Sequence, residues 1–295
     1  MQRPRYLLAF VLFALTFFTT TTLGPEMLAS TGLDLPWLSP RNILKVWTNP
    51  ELLRQGLAFS FSVLTILLAH ELGHYIACRR YGIHCTLPYF LPVPLNFGTF
   101  GAFIKIKAPI YSKRQLFDVG IAGPIAGFIA LIPFLLYGVA WSEPAVAPRE
   151  IGESLALGPS LAIDLAMRLF HGGMREGMVL HLHPFAMGAW LGLFATALNL
   201  LPLGQLDGGH ILYSVLGRGQ RGLALPLWLP LALLGLYWPG WWLWCVVVLR
   251  IGLFHPPVYD ESIPLDPKRR WLALLALAIF VLSFMPVPLG IVPAG

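Results

Sequence analysis

Long apolar stretches alternate with short polar loops along most of the chain. A stretch of about 20 apolar residues is long enough to cross the hydrocarbon core of a bilayer as a helix. Seven stretches meet or approach that length: Tyr6–Leu23, Gly56–Ala77, Phe117–Trp141, Pro184–Leu201, Leu223–Tyr237, Trp238–Leu253 and Trp271–Ile291. The pattern therefore predicts an all-α polytopic membrane protein with about six to eight transmembrane helices, folded as a single domain over residues 1–295. No clear small-residue cleavage site follows the first stretch, so we expect it to be retained.

Two apolar segments lack the pattern of a regular helix. Leu87–Lys107 contains three prolines and two glycines, and its second half, Phe100 to Lys107, is rich in aromatic and β-branched residues, which predicts a strand. The second segment, Leu201–Gly209, is a glycine-rich turn after Pro202 that carries one carboxylate, Asp207. Non-helical backbone at membrane depth is tolerated only against protein or a water-filled cavity. Both segments are therefore expected to avoid lipid.

The composition and the charges agree with a membrane protein. Hydrophobic residues make up 57% of the chain and charged residues 12%, whereas soluble domains average about 45–50% and 25%. The net charge is +6, but the 20 Lys and Arg are too dispersed to form a nucleic-acid-binding surface. A cytoplasmic N-terminus places 14 of these 20 in cytoplasmic segments, which satisfies the positive-inside rule. We expect a multi-pass protein of the cell inner membrane, embedded in the lipid bilayer and without a nucleic-acid partner.

The second predicted span contains the motif HExxH, formed by His70, Glu71 and His74. On a helix, residues four apart lie on one face, so both imidazoles can bind one metal ion while the adjacent glutamate moves protons. Chance would supply only about 0.006 such matches in a sequence of this composition. Two histidines and a carboxylate inside a membrane span are costly, and such residues normally mark function. The motif predicts a zinc site.

A catalytic zinc usually takes three protein ligands, so one more residue is needed. A third histidine in the extended HExxH pattern is absent, because Arg80 occupies that position. Asp118 lies four residues after Arg114, and a local ion pair or helix N-terminal charge accounts for it. Asp207 lies in the second break, on the same predicted cytoplasmic side as His74. Asp207 is therefore the better candidate, and the site is expected toward the cytoplasmic side.

These motifs together resemble the site-2 protease family of intramembrane zinc metalloproteases. The resemblance is carried by HELGH at His70–His74 and NLLPLGQLDGGH at Asn199–His210, with GTFGA at Gly98–Ala102 and FDVGIAGPIAGF at Phe117–Phe128 as further landmarks. It covers roughly residues 55–215, the expected catalytic core, flanked by transmembrane helices at about 6–23, 223–253 and 271–291. No insert between the motifs is long enough for a PDZ domain, so the chain is most similar to the compact, PDZ-less members.

The resemblance implies a function and a set of site residues. The expected activity is hydrolysis of peptide bonds within or near transmembrane segments of membrane-protein substrates. His70, His74 and Asp207 would bind one Zn²⁺ per chain, and Glu71 would be the catalytic acid/base. Asn199 would orient the substrate carbonyl; for His210, a position just outside the zinc ligands and a plain interface role are both open.

The same resemblance implies a small membrane-associated β-hairpin near the active site. It corresponds to the stretch around Gly98–Ile106, which would pair with the unwound substrate. The substrate-binding positions expected there are Gly98, Gly101, Ala102 and Ile104. A local strand is therefore expected within an otherwise helical protein.

The alternative is a non-enzymatic polytopic metal transporter or sensor that uses the same ligands. It predicts further metal ligands along a path, but acidic residues are nearly absent from the other predicted spans. A transporter also has no use for a glutamate such as Glu71 that binds no metal. The sequence therefore favours the protease.

Overall fold

The computed structural model describes residues 6–28, 37–146, 154–173 and 178–292, and the described part is mostly helical. The helices are α1 (Tyr6–Leu28), α2 (Pro40–Thr48), α3 (Pro50–Arg80), α4 (Lys113–Ala140), α5 (Leu161–His171), α6 (Pro184–Asn199), α7 (Asp207–Leu216), α8 (Gln220–Leu234), α9 (Gly240–Ile251) and α10 (Pro267–Ser283). The strands are β1 (Tyr89–Pro92), β2 (Thr99–Phe103), β3 (Glu143–Val146), β4 (Ser154–Leu157), β5 (Met178–His181) and β6 (Leu289–Val292). They form the antiparallel pairs β1–β2, β3–β5 and β4–β6.

Three helices within the described ranges are long and apolar enough to cross a membrane. They are Tyr6–Met27 of α1, the whole of α3 and the whole of α4, and they correspond to the first three predicted spans. The later predicted spans correspond to α6, α8, α9 and α10, which have 16, 15, 12 and 17 residues. Each is shorter than the length of about 20 residues that a straight crossing needs. The structure thus confirms a helical, apolar protein with small antiparallel sheets.

The last predicted span, Trp271–Ile291, extends too far. The helix α10 ends at Ser283, and Leu289–Val292 forms strand β6, which pairs with β4. Pro286 and Pro288 cause this, because proline donates no backbone hydrogen bond and cannot continue a helix. A continuous apolar composition concealed this change from helix to strand.

The expected hairpin is present, with different strand limits. Tyr89 pairs with Phe103 and Pro92 with Thr99, so β2 covers 99–103 rather than the predicted 100–107. Regular pairing stops at Phe103 because the next position of the partner strand is Pro88, which has no N–H. One isolated bridge, between Cys85 and Ile106, continues the contact beyond it.

Helix α1 fixes the turn of this hairpin. The Thr19 hydroxyl donates to the Gly98 carbonyl oxygen at 2.7 Å, and the rings of Phe13 and Phe90 meet edge to face. Gly98 has a φ of +80°, and a Cβ there would lie 2.6 Å from the carbonyl carbon of Thr19. Only glycine fits this position, because both the backbone conformation and the space exclude a side chain.

Helix α3 occupies the centre of the helical packing. Its buried residues Phe59, Val63 and Ile66 belong to one apolar cluster that also contains residues of α4, α5 and α6. Close approach on two sides depends on small residues. A Cβ at Gly73 would lie 2.3 Å from the Ala122 carbonyl oxygen of α4, and a Cβ at Gly56 would lie 2.1 Å from the Thr21 carbonyl oxygen of α1. Helix α3 therefore packs closely against α1 near its start and against α4 beside the HExxH motif.

Candidate metal centre

The HExxH residues lie in the last third of α3 and point into the protein. His70, Glu71 and His74 are 6%, 6% and 7% exposed. Helix α3 has a favourable N-terminal cap. Pro50 occupies its first position, and the Asn49 side chain accepts hydrogen bonds from the backbone N–H groups of Glu51 and Leu52. A long apolar run then carries the helix to the motif without interruption.

Three side chains from two distant helices converge on one point. Nε2 of His74 lies 3.0 Å from Nε2 of His70, and each of these nitrogens lies 3.2 Å from Oδ2 of Asp207. A tetrahedral zinc with bonds of about 2.1 Å separates its ligand atoms by roughly 3.4 Å. The observed spacing therefore fits one such ion. Among the described residues, this is the one group of three or more His, Cys, Asp or Glu that could hold a metal.

The protonation pattern of His74 also fits a metal. Its Nδ1 lies 2.7 Å from the Val119 carbonyl oxygen, and a carbonyl can only accept, so Nδ1 carries the proton. Nε2 then presents a lone pair to His70 and Asp207. Metal-binding histidines commonly donate their second ring N–H to a backbone carbonyl in this way. A carboxylate oxygen and a nitrogen lone pair at 3.2 Å repel each other unless a proton or a metal ion lies between them.

Helix α4 supplies the wall behind the histidines. A Cβ at Gly123 would lie 2.1 Å from His74 Nε2, and one at Gly127 would lie 3.1 Å from His70 Cβ. Pro124 follows Gly123 and lacks the N–H that would bond to the carbonyl of Gly120. The glycines bring the backbone of α4 against both imidazoles. Gly123 and Gly127 belong to the landmark FDVGIAGPIAGF. Because they are four residues apart, they lie on the same face of α4, and this spacing is visible in the sequence.

A tight turn delivers Asp207. The helix α6 ends at Asn199, Pro202 follows, and α7 begins at Asp207 itself. A Cβ at Gly208 would lie 2.0 Å from the Leu200 carbonyl oxygen, and one at Gly209 would lie 2.3 Å from the Gly204 carbonyl oxygen. The two glycines thus allow the chain to fold back on itself, which places the aspartate beside the α3 histidines.

Two of the other predicted site residues contact the cluster. The Asn199 amide nitrogen lies 3.4 Å from His70 Nε2, and the backbone of Ile104 lies near the Glu71 carboxylate. Gly101 and Ala102 lie in β2, while Gly98 contacts α1 instead. Of the four predicted hairpin positions, Ile104 therefore lies nearest Glu71, while Gly98, in the turn of the hairpin, lies against α1.

Asp118, the rejected carboxylate, has a different partner from the one expected. It pairs with Arg269 of α10 and accepts a hydrogen bond from the Tyr81 hydroxyl. Of the two explanations expected for Asp118, a local ion pair and a helix N-terminal charge, the ion pair with Arg114 is wrong, because that guanidinium donates to the Pro264 carbonyl oxygen instead. Burial and the neighbouring Asp118 raise the pKa of Tyr81. Asp118 therefore joins α4 to α10 and lies outside the three-residue cluster.

His255 is a buried polar residue that no sequence pattern revealed. It is 4% exposed, and its Nε2 lies 2.8 Å from Nδ1 of His210. No motif surrounds it, since it lies in the connection between α9 and α10, and only the presence of a histidine before two prolines marks the position.

Apolar helices around a buried His–His–Asp cluster, with a glutamate adjacent to it, define a helical membrane protein with a candidate zinc centre. The chain belongs to peptidase family M50, whose sequence model matches residues 58–224. This family membership indicates Zn²⁺ as the metal.

Three curated relatives are similar over most of this chain. The Arabidopsis thaliana protein named probable zinc metalloprotease EGY2, chloroplastic, is 32% identical over 254 residues, covering 84% of this chain and 45% of that protein. A second Arabidopsis protein, probable zinc metalloprotease EGY1, chloroplastic, is 30% identical over 303 residues and covers 96% and 53%. The EGY2 protein of Oryza sativa subsp. indica is 30% identical and covers 86% and 47%. The chain spans about half the length of these relatives.

Proposed function

We propose that this protein is an intramembrane zinc metalloprotease that hydrolyses peptide bonds within or near transmembrane segments of membrane proteins. The observation that carries the proposal is the convergence of His70, His74 and Asp207 at 3.0–3.2 Å inside a bundle of apolar helices. Glu71 lies next to His70 on the same helix and, like it, is buried. Membership of family M50 supports the same activity.

Each residue of the cluster has a role in this hydrolysis. His70, His74 and Asp207 would hold the zinc, and a bound zinc supplies a Lewis acid for the scissile carbonyl and a lowered pKa for water. Glu71 accepts a proton from the attacking water and returns it to the leaving amine; it adjoins His70 in the helix and is 6% exposed. The amide of Asn199 donates a hydrogen bond to the substrate carbonyl oxygen.

The hairpin would hold the substrate in an extended form. A helical peptide bond is shielded by its own side chains and hydrogen bonds, so the substrate must unwind before hydrolysis. Strand β2 pairs with β1 along one edge, and its other edge pairs with no strand among the described residues. Gly101 and Ala102 lie along β2, and Ile104 follows it beside Glu71. Main-chain pairing at this edge would place a substrate carbonyl close to the cluster.

The membrane arrangement follows from the charges around the three long helices. Arg79 and Arg80 end α3, while Lys113 and Arg114 begin α4, so both helices have basic residues at the end nearer the cluster. The positive-inside rule then places this end, and the active site, toward the cytoplasm. We propose about six to eight spans in total, a cytoplasmic N-terminus, a location in the cell inner membrane, and a catalytic core over about residues 55–215.

A cleavage assay with the purified full chain tests this function. The protein, in detergent or lipid vesicles, is incubated with a test protein that has one helical transmembrane segment, and its zinc content is measured. We expect about one zinc per chain and a cut within or near the segment. Glu71→Gln is the matched variant, because it keeps the proposed ligands and should bind zinc without cleaving. A wild-type protein that holds zinc, cleaves nothing and carries zinc across vesicle membranes would identify a transporter instead.

A further inference from the structure

The end of α9 and the connection that follows it pack against the turn that carries Asp207. We refer to residues 251–261 as the brace. The Gly204 N–H donates to the Leu253 carbonyl oxygen at 3.2 Å, and the Gln205 side chain donates to the Ile251 carbonyl oxygen at 2.7 Å. The brace lies outside the residues that match family M50, which end at 224. Its contacts with the turn are therefore a feature of this chain that the family match does not cover.

Within the brace, His255 is held by three polar contacts and by ring contacts with Tyr213 and His210. Its Nδ1 lies 2.6 Å from the Pro256 carbonyl oxygen and its Nε2 lies 2.8 Å from Nδ1 of His210. Its backbone N–H donates to the side-chain oxygen of Gln220 at 3.3 Å. The ring of Tyr213 stacks on His255 with centroids 4.3 Å apart. The imidazole is thus fixed in position and orientation.

These contacts determine where the protons lie. The Pro256 carbonyl can only accept, so Nδ1 of His255 carries a proton. Burial lowers the pKa of His255, and the neutral imidazole therefore has a bare Nε2 that accepts from His210. Nδ1 of His210 is then the donor, and Nε2 of His210 is left with an unshared lone pair. No hydrogen bond to this nitrogen occurs among the described residues.

His210 lies beside the candidate metal centre. It follows Asp207 by three residues on α7, and such residues lie on the same helix face. A Cβ at Gly120 would lie 2.9 Å from His210 Cβ and 3.5 Å from the Asp207 carbonyl oxygen, so the same point of α4 contacts both residues. His210 also interacts electrostatically with Asp207 and His74.

We propose that His210 is a further residue of the hydrolytic site, whose Nε2 accepts a hydrogen bond from a water molecule or a substrate backbone N–H that enters the site. His255 is the positioning residue that keeps this nitrogen unprotonated and fixes its direction. This inference rests on the proposed protease function. A histidine that merely filled an interface would need neither the fixed proton position nor the buried partner.

Two substitutions of His255 separate the hydrogen bond from the packing. His255→Phe keeps a ring to stack on Tyr213 and removes the acceptor, whereas His255→Gln can place an amide oxygen near the position of Nε2. Full-length variants are compared for zinc content, kcat and KM on the transmembrane test substrate across pH. We expect both variants to keep their zinc. His255→Phe should lose about 10-fold or more in kcat/KM, as outer-shell substitutions typically do, and His255→Gln should recover most of the loss.

Two further variants serve as controls. Tyr213→Phe keeps the stacking and removes the hydrogen bond of 2.6 Å from the Tyr213 hydroxyl to Glu261 of the brace; it should cleave normally. His210→Leu leaves the brace intact and should reproduce the loss seen in His255→Phe, and the double variant should be no worse than either single variant. If His255→Phe does not fold, the kinetics of His210→Leu alone test the proposal.

The kinetic parameters distinguish the two donors. A fall in kcat with an unchanged KM would assign water to His210, and a rise in KM would assign the substrate N–H; either result supports the proposal. Unchanged kinetics and an unchanged pH profile in His255→Phe and His210→Leu would overturn it. Equal losses in His255→Phe and His255→Gln would also overturn it. Wild-type protein that does not cleave would instead refute the protease function itself.

Discussion

His74 donates its Nδ1 proton to the carbonyl oxygen of Val119 across 2.7 Å. This hydrogen bond joins the helix that carries HExxH to the helix that forms the back wall of the site. It sets the ring orientation of His74 and directs Nε2 toward His70 and Asp207. The direction of a candidate metal ligand therefore depends on the backbone of a neighbouring helix as much as on its own.

Removal of a proposed ligand should remove the metal. His70→Ala, His74→Ala and Asp207→Ala should each lose most of the single zinc, because two remaining ligands hold zinc far more weakly than three. His84→Ala is the matched control, since His84 lies in the exposed loop after α3 and should keep the metal. Elemental analysis of the purified variants provides the measurement. Stoichiometric zinc in both of the first two variants would refute the ligand assignment.

The two aspartates should respond differently. The Asp118→Asn variant should bind zinc and cleave the test substrate normally, because Asp118 pairs with Arg269 outside the cluster. The substitution should instead lower the free energy of unfolding by about 1.5–3 kcal/mol, the contribution of a hydrogen bond to a charged group, as measured by thermal or denaturant unfolding. Loss of zinc from Asp118→Asn together with its retention in Asp207→Ala would reverse our assignment.

One methyl group on α4 should disrupt the centre. In Gly123→Ala the new Cβ would lie 2.1 Å from His74 Nε2, so either the ring or the helix must move. We expect zinc binding and cleavage to fall together. Gly222→Ala is the control, because a Cβ there meets nothing within 4 Å, and alanine in a helix should stabilise the fold by about 0.5–1 kcal/mol. Normal zinc content in Gly123→Ala would show that α4 can shift away from His74 without loss of the metal, and would contradict the prediction.

The backbone after strand β2 should matter more than its side chain. Ile104→Pro removes the backbone N–H that lies near the Glu71 carboxylate and distorts the adjacent strand edge. We expect cleavage to fall steeply while zinc is retained, since the proposed ligands lie on other elements. Ile104→Ala keeps the N–H and should cleave at nearly the wild-type rate. Ala102→Pro tests the strand edge apart from the Glu71 contact. If Ile104→Pro folds, keeps zinc and cleaves normally, the hairpin is only an interfacial loop.

The attachment of the hairpin to α1 gives a further comparison. Gly98 and Gly101 both have positive φ, at +80° and +98°, but only Gly98 is crowded by the α1 backbone. Gly98→Ala should therefore reduce cleavage more than Gly101→Ala, with zinc unchanged in both. Activity assays and elemental analysis of the same preparations test this. Equal effects would mean that backbone strain alone matters and that contact with α1 does not.

Local patterns in the sequence predicted a large part of this structure. The HExxH spacing placed two imidazoles on one helix face, and the glycine-rich turn identified Asp207 as the distant carboxylate; the structure brings these three side chains together. The irregular segment and its strand were expected from prolines, glycines and aromatic and β-branched residues, whereas the hairpin was expected from the family resemblance. These features depend on neighbours in sequence, which is why periodicity and turn chemistry reveal them.

The relationships that were missed connect residues far apart in the chain. Asp118 and Arg269 are 151 residues apart, so no local rule favours Arg269 over the nearby Arg114. His255 stands in a loop without a motif, and only the folded chain shows its contact with His210. The overlong last span has a different origin, because the apolar composition is continuous across the point where the helix α10 gives way to strand β6.

The brace has a consequence for how the candidate metal centre could be transferred to another protein. Residues 58–224 contain all four proposed zinc and acid/base positions. Ile251 and Leu253, which contact the Asp207 turn, and His255, which contacts His210 of α7, lie outside them. A chimera that transplanted only the family-matched region into a different membrane scaffold would carry every reactive side chain and lose the support of one ligand. The portable unit is therefore longer than the motif-bearing region, and a functional graft should include the chain as far as residue 261.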